Sequence, residues 1–116
     1  MEKRDVEFEI RFFEKLVKEN PRFVDALIPL AEAYTRAGLV EKGLGIDQRL
    51  VRLRKTDPVV HYNLGCSYAL VGEKEKALRA LQKALALGFE NRELLAKDPD
   101  LKSLRTDPRF KKLITT

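Results

Sequence analysis

The run His61 to Gly88, HYNLGCSYALVGEKEKALRALQKALALG, constrains this chain more than any other stretch. Leu64, Tyr68 and the pair Leu70-Val71 recur at helical spacing, and Gly72 then supplies a residue that tolerates positive φ, where a helix stops. A second apolar stripe follows after Glu73-Lys74-Glu75: Ala77, Leu78, Leu81, Ala84 and Leu85. Gly65 and Ala69 on the first helix, and Ala77, Ala80 and Ala84 on the second, are small enough for the two to approach closely. The pattern predicts an antiparallel helix pair with an apolar side that it cannot bury alone. Such a unit needs neighbours.

The chain provides one, because the run echoes an earlier stretch at an offset of about 34 residues. At that offset Tyr68 falls on Tyr34, Gly65 on Ala31, Leu64 on Leu30, Gly72 on Gly38 and Ala77 on Gly43. Repetition at this period identifies stacked helix pairs.

The rest of the chain reads as short helices with clear punctuation. Val6, Ile10, Phe13 and Val17 form the inner stripe of a helix over residues 6–18, with Leu16 beside it and Phe8 and Phe12 off to one side. Asn20-Pro21 ends it. A second helix is expected from an Asp25 N-cap to Ala37, with Pro29 costing about one backbone bond in its first turn. A third runs from Val40 to about Lys55 and carries Gly43 and Gly45, each unfavourable by about 1 kcal/mol against Ala unless close packing requires it. Asp57-Pro58 opens the organising pair, an N-cap followed by proline where no donor is needed. The same punctuation returns at Asp98-Pro99 and Asp107-Pro108, so the tail is a series of short helical pieces holding Phe89, Leu94, Leu95, Leu101, Leu104, Phe110, Leu113 and Ile114.

A chain of 116 residues with 44% hydrophobic and 35% charged residues has the composition of a soluble globular protein. At that length it buries about two-thirds of its unfolded surface. It holds no apolar run of the roughly 20 residues that a membrane helix needs. The start, MEKRDVEFEI, lacks a secretory apolar core, and the single cysteine, Cys66, cannot form an internal disulfide, so a cytoplasmic setting is expected. The net charge of +5 raises the question of nucleic acid, but most Lys and Arg alternate with Glu and Asp, as on solvated helix faces. The one acid-free cluster is Arg49, Arg52, Arg54 and Lys55, with no aromatic residue interleaved. A nucleic-acid or polyanion contact there is the alternative reading; a solvated helix end is the plainer one.

The landmarks Leu64-Gly65, Tyr68, Gly72, Ala77 and Ala84 resemble the tetratricopeptide repeat (TPR) family. The earlier copy is degenerate, with Gly43 for the alanine and Asp47 at a usually apolar place. FFEKLVKENP resembles the second helix of such a repeat, through Phe13, Leu16 and Pro21. The tail, through Gly88-Phe89, Asp98-Pro99-Asp100-Leu101, Leu104-Arg105 and Asp107-Pro108-Arg109-Phe110, is similar to the closing segment of many bacterial arrays. The resemblance implies one all-α domain over residues 1–116, a short right-handed stack of antiparallel helix pairs of the α-solenoid kind. Within it, 1–21 is a half-repeat, 24–57 the degenerate repeat, 58–91 the well-matched repeat and 92–116 the closing segment.

Carried over from the family by matching positions, a concave groove for a peptide or partner helix would be lined by Ile28, Glu32, Thr35 and Arg36, then by Val59, Tyr62, Asn63, Cys66, Ala69 and Leu70. The alternative for these residues is packing against the closing segment. The family's basic clamp for a C-terminal carboxylate is not expected: Ile28 and Glu32 stand where Lys or Asn is needed, and only Asn63 agrees. Phe8 and Phe12 mark a self-association or partner contact.

Catalytic and cofactor chemistry has no set of residues to carry it. His61 and Cys66 are the only residues of their kinds, enough for neither a nucleophilic triad nor a metal set. The family usually places a large packing side chain where His61 stands. GLVEKGLG lacks the Lys-Ser/Thr ending of a phosphate loop, and Glu73 and Glu75 are solvated among lysines. The sequence therefore predicts a non-catalytic interaction module with no cofactor and no metal.

Overall fold

The stripes and stop signals become helices over almost the whole chain in a computed structural model that describes residues 3–115. They are α1 (Lys3–Glu19), α2 (Val24–Arg36), α3 (Val40–Leu53), α4 (Pro58–Leu70), α5 (Lys74–Ala86), α6 (Arg92–Lys97), a 3-10 helix (Pro99–Leu104) and α7 (Pro108–Thr115). No strand occurs among the described residues. The fold is all-α. Its internal contacts divide it into two units, Met1–Lys55 and Thr56–Thr116.

In the first unit, α2 packs against both α1 and α3. Val6 and Val17 of α1 are buried, as are Ala26, Leu27, Leu30, Ala31, Ala33 and Tyr34 of α2. Two polar links tie α1 to α2: the Tyr34 hydroxyl donates to Glu14, and Arg36 grips Glu9 through two hydrogen bonds of 2.9 and 3.1 Å. The Arg36 guanidinium holds the Glu9 carboxyl below its usual range. Burial, then the bond to Glu14, pushes the Tyr34 phenol far up.

The expected Asp25 cap is not formed. Helix α2 begins one residue earlier, at Val24, after Phe23, which makes no side-chain cap bond. Asp25 sits inside the first turn, where its charge still favours the positive end of the helix dipole. The helix continues through Pro29. The close-packing account of the two α3 glycines holds for one of them. A Cβ on Gly43 would stand 3.1 Å from Thr35 Oγ1 and 3.4 Å from the Ala31 carbonyl, whereas one on Gly45 would meet nothing within 4 Å.

Gly38, at φ 79°, ends α2 in a Schellman turn: its N–H bonds the Thr35 carbonyl and the Leu39 N–H reaches back to Tyr34. Gly72, at φ 86°, repeats the arrangement in the second unit, with Glu73 N–H donating to Tyr68. The turn that the two sequence copies share is therefore one backbone device used twice.

In the second unit α4 and α5 form the closest pair. A Cβ on Gly65 would lie 2.7 and 2.8 Å from Leu81 side-chain atoms and 3.3 Å from the Ala77 carbonyl, so the helices meet at a distance that only glycine permits. Each Asp-Pro signal caps the piece it opens: Asp57 accepts from Val59 N–H, Asp98 from Asp100 N–H and Asp107 from Arg109 N–H, at 2.8–3.0 Å. Leu95, Leu101, Leu104 and Phe110 of the tail join Tyr62, Cys66, Ala69, Ala77, Leu78, Leu81 and Ala84 in one core.

Candidate functional site

Six of the ten expected groove positions lie on α4, and there the structure places the chain's own tail. Tyr62, Cys66 and Ala69 are buried, with the 3-10 helix against α4. The Tyr62 hydroxyl donates to Asp98, and its ring stacks on Phe89 with centroids 4.4 Å apart and planes 5° from parallel. The Cys66 thiol points at the same carboxylate, Sγ to Oδ2 3.8 Å. Ser103 donates to the Ala69 carbonyl at 3.5 Å. These three residues are thus packing positions rather than an open partner surface. The reason is economy of burial: Leu101 and Leu104 have 0% exposure here and would otherwise face water.

The other α4 positions stay partly accessible. Val59 is exposed, and Asn63 and Leu70 are half-buried. On α2, Glu32 is exposed and Ile28 half-buried, while the Thr35 hydroxyl is turned back onto the Ala31 carbonyl and Arg36 is engaged by Glu9. The residue that sequence reasoning passed over is Asp98. Its carboxylate accepts from Tyr62, Cys66 and the Asp100 backbone, and its carbonyl accepts from Arg105 at 3.0 Å. The Asp98-Pro99 signal disclosed the cap and gave no sign of the partner on α4. Burial, then the bond to Asp98, pushes the Tyr62 phenol far above its ordinary value.

Ligand atoms of Cys66, Asp98 and Asp100 lie within 4.8 Å of one another. The Asp98 oxygens are already committed to Tyr62, Cys66 and the Asp100 N–H, so the cluster reads as the hydrogen-bonded junction between α4 and the tail. His61 is buried on α4, in keeping with a packing role. Among the described residues no helix is long and apolar enough to cross a membrane.

The basic cluster is divided between two environments. Arg49 is half-buried within electrostatic reach of Tyr34, while Arg54 lines a separate cleft with Arg22 and Asp25. Arg52 and Lys55 are exposed. The pair singled out on α1 is open: Phe8 is 63% and Phe12 52% exposed, so neither ring is covered by the core beneath it. Phe12 meets the edge of Phe13 at 5.2 Å, which fixes its ring at the rim of the α1–α2 core.

Residues 58–91 match the family model of the tetratricopeptide repeat. A curated relative, a chloroplastic protein of Arabidopsis thaliana, is 36% identical over 56 residues, which is 48% of this chain and 17% of that protein. A crystal structure of MamA superposes with a TM-score of 0.75 at 28% identity, over 91% of this chain and 61% of that one. The chain thus spans less than two-thirds of each. The matched segment is the helix pair α4–α5 with its glycine contact and Schellman turn, and the fold it builds serves protein–protein interaction in general. On these grounds residues 58–91 are a tetratricopeptide repeat, and the helical fold around them resembles that of MamA.

Proposed function

We propose that this chain is a non-catalytic protein-interaction module that pairs with a second copy of itself through the Phe8–Phe12 face of α1. The exposure of those two rings carries the reading. They lie four apart, hence on one side of the helix, away from the buried Val6 and Val17. The charges beside them are arranged for self-pairing. Asp5 lies one turn before Phe8, and Lys15 about one turn after Phe12. An antiparallel crossing of two α1 helices centred on Ile10 sets Phe8 against Phe12 of the second copy, and Asp5 against Lys15 at both ends.

Covering two half-exposed phenylalanines contributes about 2–3 kcal/mol per protomer. The two protomers together gain about 4–6 kcal/mol, which sets a limiting Kd on the order of 0.1 mM, weakened by whatever loss of translational and rotational freedom the flanking charge pairs do not offset. Light scattering after size exclusion tests it. Mass should rise toward a dimer between about 10 μM and 1 mM, and Phe8→Ser with Phe12→Ser should abolish the rise. Both residues are exposed, so the variant should keep its helical circular dichroism. A protein that stays monomeric at about 1 mM defeats the proposal.

A peptide or partner helix on α2 is the second reading, supported by the exposure of Glu32 and the partial exposure of Ile28. It is the weaker one, because Thr35 and Arg36 are already engaged within the chain. The cytoplasmic assignment rests on the single, buried thiol of Cys66.

A further inference from the structure

Helix α5 turns Ala77, Leu81 and Ala84 toward the core, and the next positions around it form one wall of a cleft whose other wall is α7. The cleft has a volume of about 530 Å³, within the range of sites that hold ligands. Its floor is apolar: Leu78 and Leu85 from α5, and Leu113 from α7. The two leucines of α5 are two turns apart, so the floor runs about 10 Å along the helix.

One cross-link joins the walls and a second steadies α7 from the side. Arg109 of α7 binds Glu75 of α5 at 2.6 Å while also gripping Asp107, and Arg92 of α6 donates to the Leu113 carbonyl. A cleft pinned in this way is organised before anything binds, which lowers the cost of binding.

The charge around it is one-sided. Arg79, Arg92, Arg109 and Lys112 face a single carboxylate, Glu75, which Arg109 already holds. Arg79 and Gln82 are exposed and make no hydrogen bond or ion pair among the described residues. An unengaged guanidinium beside an apolar floor suits an incoming carboxylate, whose bond to it can be bidentate. No aromatic side chain lines the cleft to stack a base, and Glu75 would repel a run of phosphates. The floor is also too long for a small free anion to fill.

We propose that the cleft between α5 and α7 docks an acidic amphipathic protein segment, with leucine-like side chains entering over Leu78, Leu85 and Leu113 and carboxylates meeting Arg79 and Lys112. All of its lining residues belong to the second unit, and binding here does not require self-association.

The test uses the full chain and a fluorescein-labelled helical peptide of about five turns, leucine on one face and glutamate on the other, read by anisotropy at about 150 mM salt. Saturable binding is expected, weakened about tenfold or more by Arg79→Glu with Lys112→Glu. It should be unchanged by Phe8→Ser with Phe12→Ser, so that failure of the dimer leaves this result intact. Should the double charge reversal lose its helical circular dichroism, Arg79→Ala alone should weaken binding about threefold. Absence of saturable binding at about 1 mM peptide overturns the proposal, as does equal affinity for the charge-reversed variant. Equal affinity for a peptide with every leucine changed to serine, or complete displacement by heparin at matched charge, also overturns it in favour of plain polyanion attraction.

Discussion

Three glycines lie inside helices, and the structure gives each a different reason to be there, so replacing each with alanine orders them by stability. Alanine gains about 0.5–1 kcal/mol over glycine in a helix interior when nothing opposes its methyl group. Gly45 meets no atom within 4 Å, so Gly45→Ala should stabilise by that full amount. At Gly43 the new carbon would stand 3.1 Å from the Thr35 hydroxyl and 3.4 Å from a backbone carbonyl. The hydroxyl is bonded to the Ala31 carbonyl at 3.1 Å and can shift only by stretching that bond, so the gain and the strain should nearly cancel. At Gly65 the contacts are 2.7 and 2.8 Å to Leu81, which has 0% exposure and no room to move. Overpacking of that kind costs about 1–3 kcal/mol, so with the alanine gain set against it the net effect of Gly65→Ala is a loss of up to about 2.5 kcal/mol. Urea titration by far-UV circular dichroism reads the midpoints, and the slope checks that the unfolded state is unchanged. In a thermal scan each kcal/mol should move the midpoint by about 3–5 °C for a chain of this size. The expected order is Gly45→Ala above wild type, Gly43→Ala close to it and Gly65→Ala below. If Gly65→Ala is as stable as Gly45→Ala, α4 and α5 do not approach as closely as glycine contact requires.

Asp98→Ala should lower stability by about 2–4 kcal/mol in the same titration, because it removes a cap and leaves the buried Tyr62 hydroxyl without its acceptor. A change within about 0.5 kcal/mol would show that the tail does not hang on this residue. For Asp100, burial and then the neighbouring Asp98 raise its pKa, so the folded state disfavours its charge, and the penalty appears as pH rises through the ordinary carboxylate range. Asp100→Asn should therefore melt higher than wild type at neutral pH, with the difference closing in acid once the wild-type group is protonated; a difference independent of pH would refute this. Asp107 behaves oppositely: the Arg109 side chain and backbone N–H lower its pKa to about 2, so its contribution is present above the ordinary carboxylate value and disappears only as pH falls through about 2. Asp107→Asn should flatten the acid limb of the wild-type stability curve, measured by melting between pH 4 and 2, about the span between its ordinary and native values.

What could be read from the sequence was whatever local chemistry decides. Gly38 and Gly72 must supply positive φ, so their turns were legible at once. The three Asp-Pro pairs were legible as helix starts for the same reason. Asp25 misled, because a good capping residue competes with the hydrophobic demand to bury Ala26 and Leu27, and the helix started where burial set it. Gly43 and Gly45 look alike in the sequence, and only the neighbouring helix distinguishes them. The site was less legible still. Its expected residues on α4 were carried over by position, and position says nothing about what a tail more than thirty residues later will do. The Tyr62–Asp98 bond spans 36 residues and no periodicity encodes it.

The tail also decides where a partner can bind. For an external peptide to reach Tyr62, Cys66 and Ala69, it would have to lift the 3-10 helix and expose Leu101 and Leu104, losing about 3–6 kcal/mol of burial before its own contacts count. The tail is tethered besides, and competes at an effective concentration in the millimolar range. A peptide of ordinary micromolar affinity would be reduced by these two terms to negligible occupancy. Binding energy is available instead where apolar surface is already open. In the first unit that is the Phe8–Phe12 face, flanked by charges of both signs, which suits a second copy. In the second unit it is the leucine floor between α5 and α7, flanked almost wholly by cations, which suits an acidic segment. The difference in rim charge keeps the two surfaces from taking the same partner.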